Sequence, residues 1–314
     1  MQAYYINLPQ EAQRRDVLER NFSRFAPPGW TLHRVSTVNA QDVLTSQVPG
    51  RITGVEKACY FSHAKALAMA CEHPQHAYIL EDDAHFGPRS FQMIGRALDQ
   101  LEREGNDWDL LYTQVMPVCP EHMVELLRIR SQCVRENQFA VVNTRNMILA
   151  GACSYLVQAK SKHKVLGFLQ SQNPIDTPVD ALYWRLAREG QLQARVVFPL
   201  ASSVSPEATV SQIQSSSKAL ASLIWNAWMR LSAYDRDLDA IEQSLHGLPP
   251  LTETPAQAQA LLQPLLAQAL FHIGLLHHLH ERGVEFAHHI LRCARRCDDA
   301  KEDGRVKVLE ALFV

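Results

Sequence analysis

The chain has 314 residues, 46% of them apolar and 20% charged. That is enough for one large or two ordinary domains with a sizeable core. A formal net charge of −2 excludes the basic surplus of a general nucleic-acid binder, so nucleic acid is not an expected partner. No apolar run is long enough to span a bilayer and MQAYYINL lacks the pattern of a secretory leader, so a cytoplasmic protein is expected, at most peripheral at the inner face of a membrane.

The first readable element is Ala3 to Leu8, a β-rich run ending at Pro9 and predicting the first strand of a parallel sheet. Glu11 to Phe25 has helical spacing, with Val17, Leu18, Phe22 and Phe25 on one side. Arg14 and Arg15 lie early in this helix, just past the strand's carboxyl end. They are either two solvated arginines or a pair reaching a diphosphate, which the planar guanidinium fork suits. Pro27-Pro28-Gly29 breaks the chain, and Thr31 to Val35 gives a second strand, completing β-α-β. Residues 37–54 read as loop with a turn at Pro49-Gly50. Val55 to Cys71 then reads as a helix rich in small residues, with Ser62 and His63 at its middle and Pro74 beyond its end. A histidine there is either a structural hydrogen-bonder or a catalyst.

His76 to Phe86, HAYILEDDAHF, is the stretch the chain is organised around. Ala77 to Leu80 predicts a strand buried on both faces, stopping at Glu81, Asp82 and Asp83. Three consecutive acids would repel one another in a core. They fit the carboxyl end of a strand, where an open α/β sheet places its ligand crevice. Hard oxygen donors at that point suit Mg²⁺ or Mn²⁺ beside a phosphorylated substrate; the plain alternative is a solvated acidic turn.

Taken in order, INLPQEAQRRDVLERNF, EKACYFSHAKALAMA (preceded by Gly54-Val55) and AYILEDDAHF resemble the landmarks of glycosyltransferase family 25. This is the lipooligosaccharide-type family that includes the collagen galactosyltransferases. The resemblance runs over roughly residues 3 to 215. It implies a GT-A-like, Rossmann-type α/β domain with a mostly parallel sheet and helices on both faces. It also implies transfer of a hexose, commonly galactose from UDP-galactose, with inversion, to lipooligosaccharide or another glycan or glycolipid acceptor. Carried onto this sequence, it assigns Asp83 and Glu81 to a Mn²⁺ or Mg²⁺ ion. Asn7, Leu8, Arg14, Arg15, Ser62, Glu81 and Asp82 are assigned to the UDP-sugar donor. Asp180, with His63 as the weaker candidate, is the base that takes the acceptor's proton.

Phe91 to Glu104 predicts an amphipathic helix, Trp108 to Tyr112 a strand, Met123 to Ile129 a helix and Phe139 to Val142 a strand. Gly151 to Val157 predicts another strand and Lys160 to Gln170 a helix. Asp180 opens a further helix, where it serves as an N-cap or as a functional carboxylate favoured by the helix dipole. Arg195 to Leu200 is the last expected strand and residues 202–217 a polar segment.

The composition changes after residue 217, dividing the chain into an enzyme domain over 1–217 and an all-helical module over 218–314. Helices are expected at Lys218 to Leu245, Ala256 to Leu279 and Val284 to Arg296, packing on the sheet domain or on a second copy as a homodimer. The histidines from His272 to His289 lack a recognised metal spacing and read as solvated or interface groups. The seven scattered cysteines read as free thiols. Two other readings stay open: a degenerate nucleotide- or glycan-binding protein, and a scaffold acting through its helical tail. A dinucleotide dehydrogenase is disfavoured, because the first strand leads into LPQEAQRR rather than a glycine-rich turn.

Overall fold

The computed structural model describes residues 1–41, 47–105, 107–117, 120–205, 228–230 and 232–235. The first half builds β1 (Gln2–Asn7), α1 (Ala12–Phe25), β2 (Thr31–Ser36), α2 (Gly54–Cys71), β3 (Ala77–Glu81), β4 (Ala84–Phe86) and α3 (Ser90–Arg103). The second half builds β5 (Leu110–Pro117), α4 (Pro120–Arg135), β6 (Ala140–Asn143), β7 (Leu149–Val157), a 3₁₀ turn (Ala159–Ser161), α5 (Lys162–Gln170), α6 (Val179–Arg188), β8 (Ala194–Phe198) and β9 (Ser202–Val204).

A seven-stranded sheet in the order β2-β1-β3-β7-β5-β8-β6 forms the centre, and β4 and β9 pair in a small second sheet. Strands β2, β1, β3, β5 and β8 run the same way, while β7 and β6 are antiparallel to their neighbours. The architecture is the expected α/β one with a mostly parallel sheet. The antiparallel placing of β7 between β3 and β5 is a feature that the strand pattern alone does not reveal.

Both faces of the sheet are covered, and strand alternation decides which residue goes where. Tyr4, Ile6, Ala77 and Ile79 pack with Tyr60 and Leu67 of α2, Leu166 of α5 and Leu182 of α6. Ala3, Tyr5, Tyr78 and Leu80 pack with Leu18 and Phe22 of α1 and with Phe91, Ile94 and Ala97 of α3. This two-sided burial explains why β1 and β3 are continuous apolar runs.

Helix α2 begins with a capping box. The Thr53 hydroxyl accepts from the Glu56 backbone N–H, and the Glu56 carboxylate accepts from the Thr53 N–H. Glu56, the acid of the family-like helix motif, therefore fixes where α2 starts. The Ser62 hydroxyl, fully buried, donates to the Ala58 carbonyl at 2.7 Å and accepts from the Val38 N–H at 3.0 Å, tying down the chain that follows β2.

The turn before α2 is held against the loop ahead of α6. Gly50 has φ +144°, and a Cβ there would lie 1.9 Å from the Ile175 carbonyl oxygen. Only glycine fits. Gly50→Ala is expected to cost about 2 kcal/mol or more, read as a lowered Tm in thermal denaturation, because backbone rather than a movable side chain must give way.

Several boundaries differ from the sequence reading. The strand expected from Trp108 starts at Leu110 and runs to Pro117; Trp108 is buried just ahead of it. The helix around Met123 extends over Pro120–Arg135. Ser202 to Val204, expected as part of a polar segment, forms β9 against β4. This short strand is anchored by a fully buried hydroxyl cluster in which Ser202, Ser154, Thr113 and Tyr78 lie within 3.0 Å of one another in linked pairs.

Most of the helical module expected over 218–314, with its three helices, its histidines and its proposed dimer contact, lies outside the described residues. The described part packs on the sheet domain. Trp228 stacks on Phe198, the Arg230 guanidinium donates to the Val204 and Ser205 carbonyls, and the Leu200 N–H donates to the Ser232 carbonyl.

Candidate active site

Strand alternation also organises the three acids. Glu81 continues the series Ala77, Ile79 and faces α2. Asp82 continues the series Tyr78, Leu80 and faces α1. On the α1 side, the Asn7 amide at the end of β1 donates to Asp82 Oδ2 at 2.8 Å and to the Glu11 carbonyl at 3.0 Å, while its oxygen accepts from Arg34 Nε at 3.1 Å. Arg14 Nη2 lies 2.9 Å from Asp82 Oδ1 and 3.0 Å from Asp83 Oδ2. On the α2 side, Glu81 Oε1 lies 3.3 Å from His63 Nε2, and His63 Nδ1 lies 3.0 Å from the Tyr155 hydroxyl.

Asp83 is held from two directions. Its backbone carbonyl accepts from the Ser205 N–H at 2.7 Å, extending the β4–β9 ladder, and its Oδ1 accepts from the Cys153 thiol at 2.8 Å. The arrangement is not a solvated turn: Asp82 is buried, and Glu81 and Asp83 are only partly open to solvent.

Burial sets the electrostatics. It pushes Asp82 up to about 6 against the counter-pull of Arg14, with Asp83 adding to the rise. Burial likewise raises Asp83, again opposed by Arg14 and reinforced by Glu81. Burial also works to raise Glu81, but the hydrogen bond and charge of His63, together with Arg14, outweigh it and leave the group below its usual value. Arg14 is pulled down by burial and up by Asp83, Asp82 and Glu81; the acids win.

The three carboxylates and one guanidinium leave two formal negative charges in a partly buried cluster. That charge and that all-oxygen donor set fit a divalent cation such as Mg²⁺ or Mn²⁺.

A stability prediction follows from Asp82. Its folded pKa lies above the ordinary carboxylate value, so the fold binds that proton more tightly than the unfolded chain does. The stability contributed by the protonated group is present at low pH and is lost as pH rises through about 6. The loss is about 3 kcal/mol, comparable to what full burial of one or two side chains such as Ile79 and Leu80 contributes. Asp82→Asn, which keeps an acceptor for Asn7, should therefore raise Tm at about pH 8 and leave it nearly unchanged at about pH 4. An equal shift at both pH values would remove desolvation of Asp82 as the cause.

The remaining expected residues divide into those that join the cluster and those that do not. Arg14 joins. Arg15 does not, and pairs instead with Asp16 at 3.3 Å. Successive helical positions point about 100° apart, so only one of the two can face the acids. Leu8 offers its carbonyl to the Glu11 N–H in the turn into α1. His63 is fully buried between Glu81 and Tyr155.

Asp180 is not the N-cap of its helix: that position belongs to Pro178, and Asp180 is the second residue of α6. Its Oδ1 accepts from the Ala181 N–H and its Oδ2 from the Gly151 N–H, both at 2.8 Å, so the carboxylate links α6 to β7. Gly151 has φ +88°, a conformation that glycine adopts without strain. Burial pushes the Cys59 thiol well up, and the charges of Glu81, Asp180, Glu56 and Asp83 add to the rise.

Sequence reasoning missed Cys153, Tyr155, Arg34 and Ser205. Cys153 sits in a small-residue run, Gly151-Ala152-Cys153-Ser154, with nothing to distinguish it from packing. Tyr155 and Ser205 reach the site only through strand pairing that is remote in sequence.

Residues 1–183 match the sequence profile described as "Glycosyltransferase family 25 (LPS biosynthesis protein)". No curated protein matches the chain. Among solved structures, the crystal structure of S. aureus TarS 1–349 aligns at 12% identity with a TM-score of 0.34, covering 100% of this chain and 91% of that one. The profile match spans more than half of the chain and includes β1, α2 and the acid-tipped β3: the protein belongs to glycosyltransferase family 25, a family of lipopolysaccharide biosynthesis.

Proposed function

We propose that the protein transfers a hexose, with UDP-galactose the favoured donor, with inversion to a lipooligosaccharide or related surface-glycan acceptor, assisted by Mn²⁺ or Mg²⁺. The observation that carries this reading is the acidic cluster at the ends of β1 and β3, where Arg14 pairs with both Asp82 and Asp83 and Glu81 lies beside His63. When bound, a divalent cation would supply charge neutralisation for the departing diphosphate. Asp83 and Glu81 would hold it.

The chain's own groups supply the rest. Arg14 donates charge-assisted hydrogen bonds to phosphate oxygens. Asn7, fixed by Glu11 and Arg34, orients Asp82. Asp180 takes the proton of the acceptor hydroxyl; each of its oxygens, already accepting one backbone N–H, keeps a further lone pair for it. A glycolipid acceptor would bring the protein to the inner face of a membrane; among the described residues no helix is long and apolar enough to cross one.

Calorimetric titration with UDP-galactose, UDP-glucose, UDP-N-acetylglucosamine and a CMP-sugar, each with Mn²⁺ and with chelator, tests the proposal. Cation-dependent binding of one UDP-sugar is the expected result and names the donor. Absence of binding for all of them would favour a degenerate binding or scaffold protein.

A further inference from the structure

Helix α2 brings a chemically different donor set to the same strand end, one that shares Glu81 with the oxygen site proposed above. Cys59 and His63 are one helical turn apart, an i, i+4 pair on one face, and both point at Glu81. The Cys59 sulfur, a His63 ring nitrogen and a Glu81 carboxylate oxygen all lie within 4.8 Å of one another. We propose that Cys59, His63 and Glu81 form a binding site for a borderline-soft transition-metal ion, Zn²⁺ in particular.

The nitrogen–oxygen spacing fits that ion. Nitrogen and oxygen ligands at about 2.0–2.1 Å from a tetrahedral zinc stand about 3.3–3.4 Å apart. His63 Nε2 and Glu81 Oε1 are 3.3 Å apart with no ion between them. The sulfur is the third ligand, and a thiolate selects zinc over the hard cations that oxygen-only sites take. Access is provided for: His63 is fully buried, but Glu81 is 28% exposed and Cys59 is also partly open. The fourth position is left to water.

The outer shell is also in place. Metal-bound histidines usually present their second ring nitrogen to an oxygen, which fixes the tautomer. His63 Nδ1 faces the Tyr155 hydroxyl at 3.0 Å, and that hydroxyl lies 3.3 Å from the hydroxyl of Tyr183. With Nε2 on the ion, Nδ1–H donates to the Tyr155 oxygen and the Tyr155 O–H turns to Tyr183. Binding converts the Cys59 thiol to a thiolate, and its proton leaves to buffer. No further oxidant or co-reactant is needed.

Cobalt(II) is the probe, since thiolate ligation gives it a near-ultraviolet charge-transfer band. The full chain, stripped with chelator, is expected to bind Co²⁺ with that band, and Zn²⁺ is expected to displace it. Cys59→Ser should abolish the band, while Cys153→Ser, which removes the other thiol near the acids, should keep it. Tyr155→Phe should keep the band but weaken Co²⁺ binding by about 10–100-fold, the usual effect of losing an outer-shell partner. Cobalt bound without a thiolate band, or a band that survives Cys59→Ser, would overturn the proposal. Tyr155→Phe conserves shape in a buried position, so its effect is separable from misfolding by the unchanged band. The readout uses no nucleotide sugar, so it stands or fails independently of the donor titration.

Discussion

Asp83→Asn is expected to abolish cation-dependent donor binding and to leave the fold intact. The expected loss in affinity is at least about 100-fold, more than the removal of an outer-shell partner usually costs. The substitution keeps side-chain shape and an acceptor for the Cys153 thiol, and the Ser205 N–H still reaches the Asp83 carbonyl. What it removes is one of the two net negative charges of the cluster. Because burial disfavours the ionised Asp83, Tm should hold or rise. Calorimetry with Mn²⁺ and whichever UDP-sugar the donor titration identifies, beside thermal denaturation, checks both halves. Donor affinity equal to that of the unsubstituted protein would take Asp83 out of the cation site.

Asp180→Asn separates binding from transfer. Donor affinity should be unchanged, while turnover falls by at least about 100-fold, the scale of a positioned general base. Asparagine retains the shape and one acceptor oxygen, so only part of the link between Gly151 and the start of α6 is disturbed. Asp180→Ala removes both acceptors and leaves two N–H groups without partners, at a cost of about 1–3 kcal/mol each where they are buried. A fall in turnover for Asp180→Asn at unchanged Tm therefore marks the proton-transfer role. Near-normal turnover in Asp180→Asn, with destabilisation confined to Asp180→Ala, would leave Asp180 a purely structural group.

Local features were legible in the sequence. β1, α1, β2, α2, β3 and α3 follow from apolar periodicity and from Pro27, Gly29 and Pro74, with boundaries within a residue or two. The end of β3 at Glu81 follows from three acids closing an apolar run. Pairing was not legible, because it depends on residues far apart in the chain. Nothing in Leu149–Val157 announces that it runs opposite to β3 and β5, yet that direction brings Cys153 to Asp83 and Tyr155 to His63. β9 is three residues long, too short for a period to show. Asp180 looked like an N-cap because Asp is favoured there, whereas the backbone turns one residue pair earlier, at Pro178.

The reversed direction of β7 also bears on how such a protein can diverge. At the carboxyl ends of β3 and β5, Leu80 pairs with Ser154, and Pro117 pairs with Leu149 at the start of β7. The chain entering β7 therefore arrives at the rim where β1 and β3 deliver Asn7 and the acids. Residues gained or lost in that approach change the rim without shifting the register that holds the acids, whereas one residue gained inside β3 would exchange the partners of Glu81 and Asp82. Descendants of one ancestor can thus trade rims and keep a common floor.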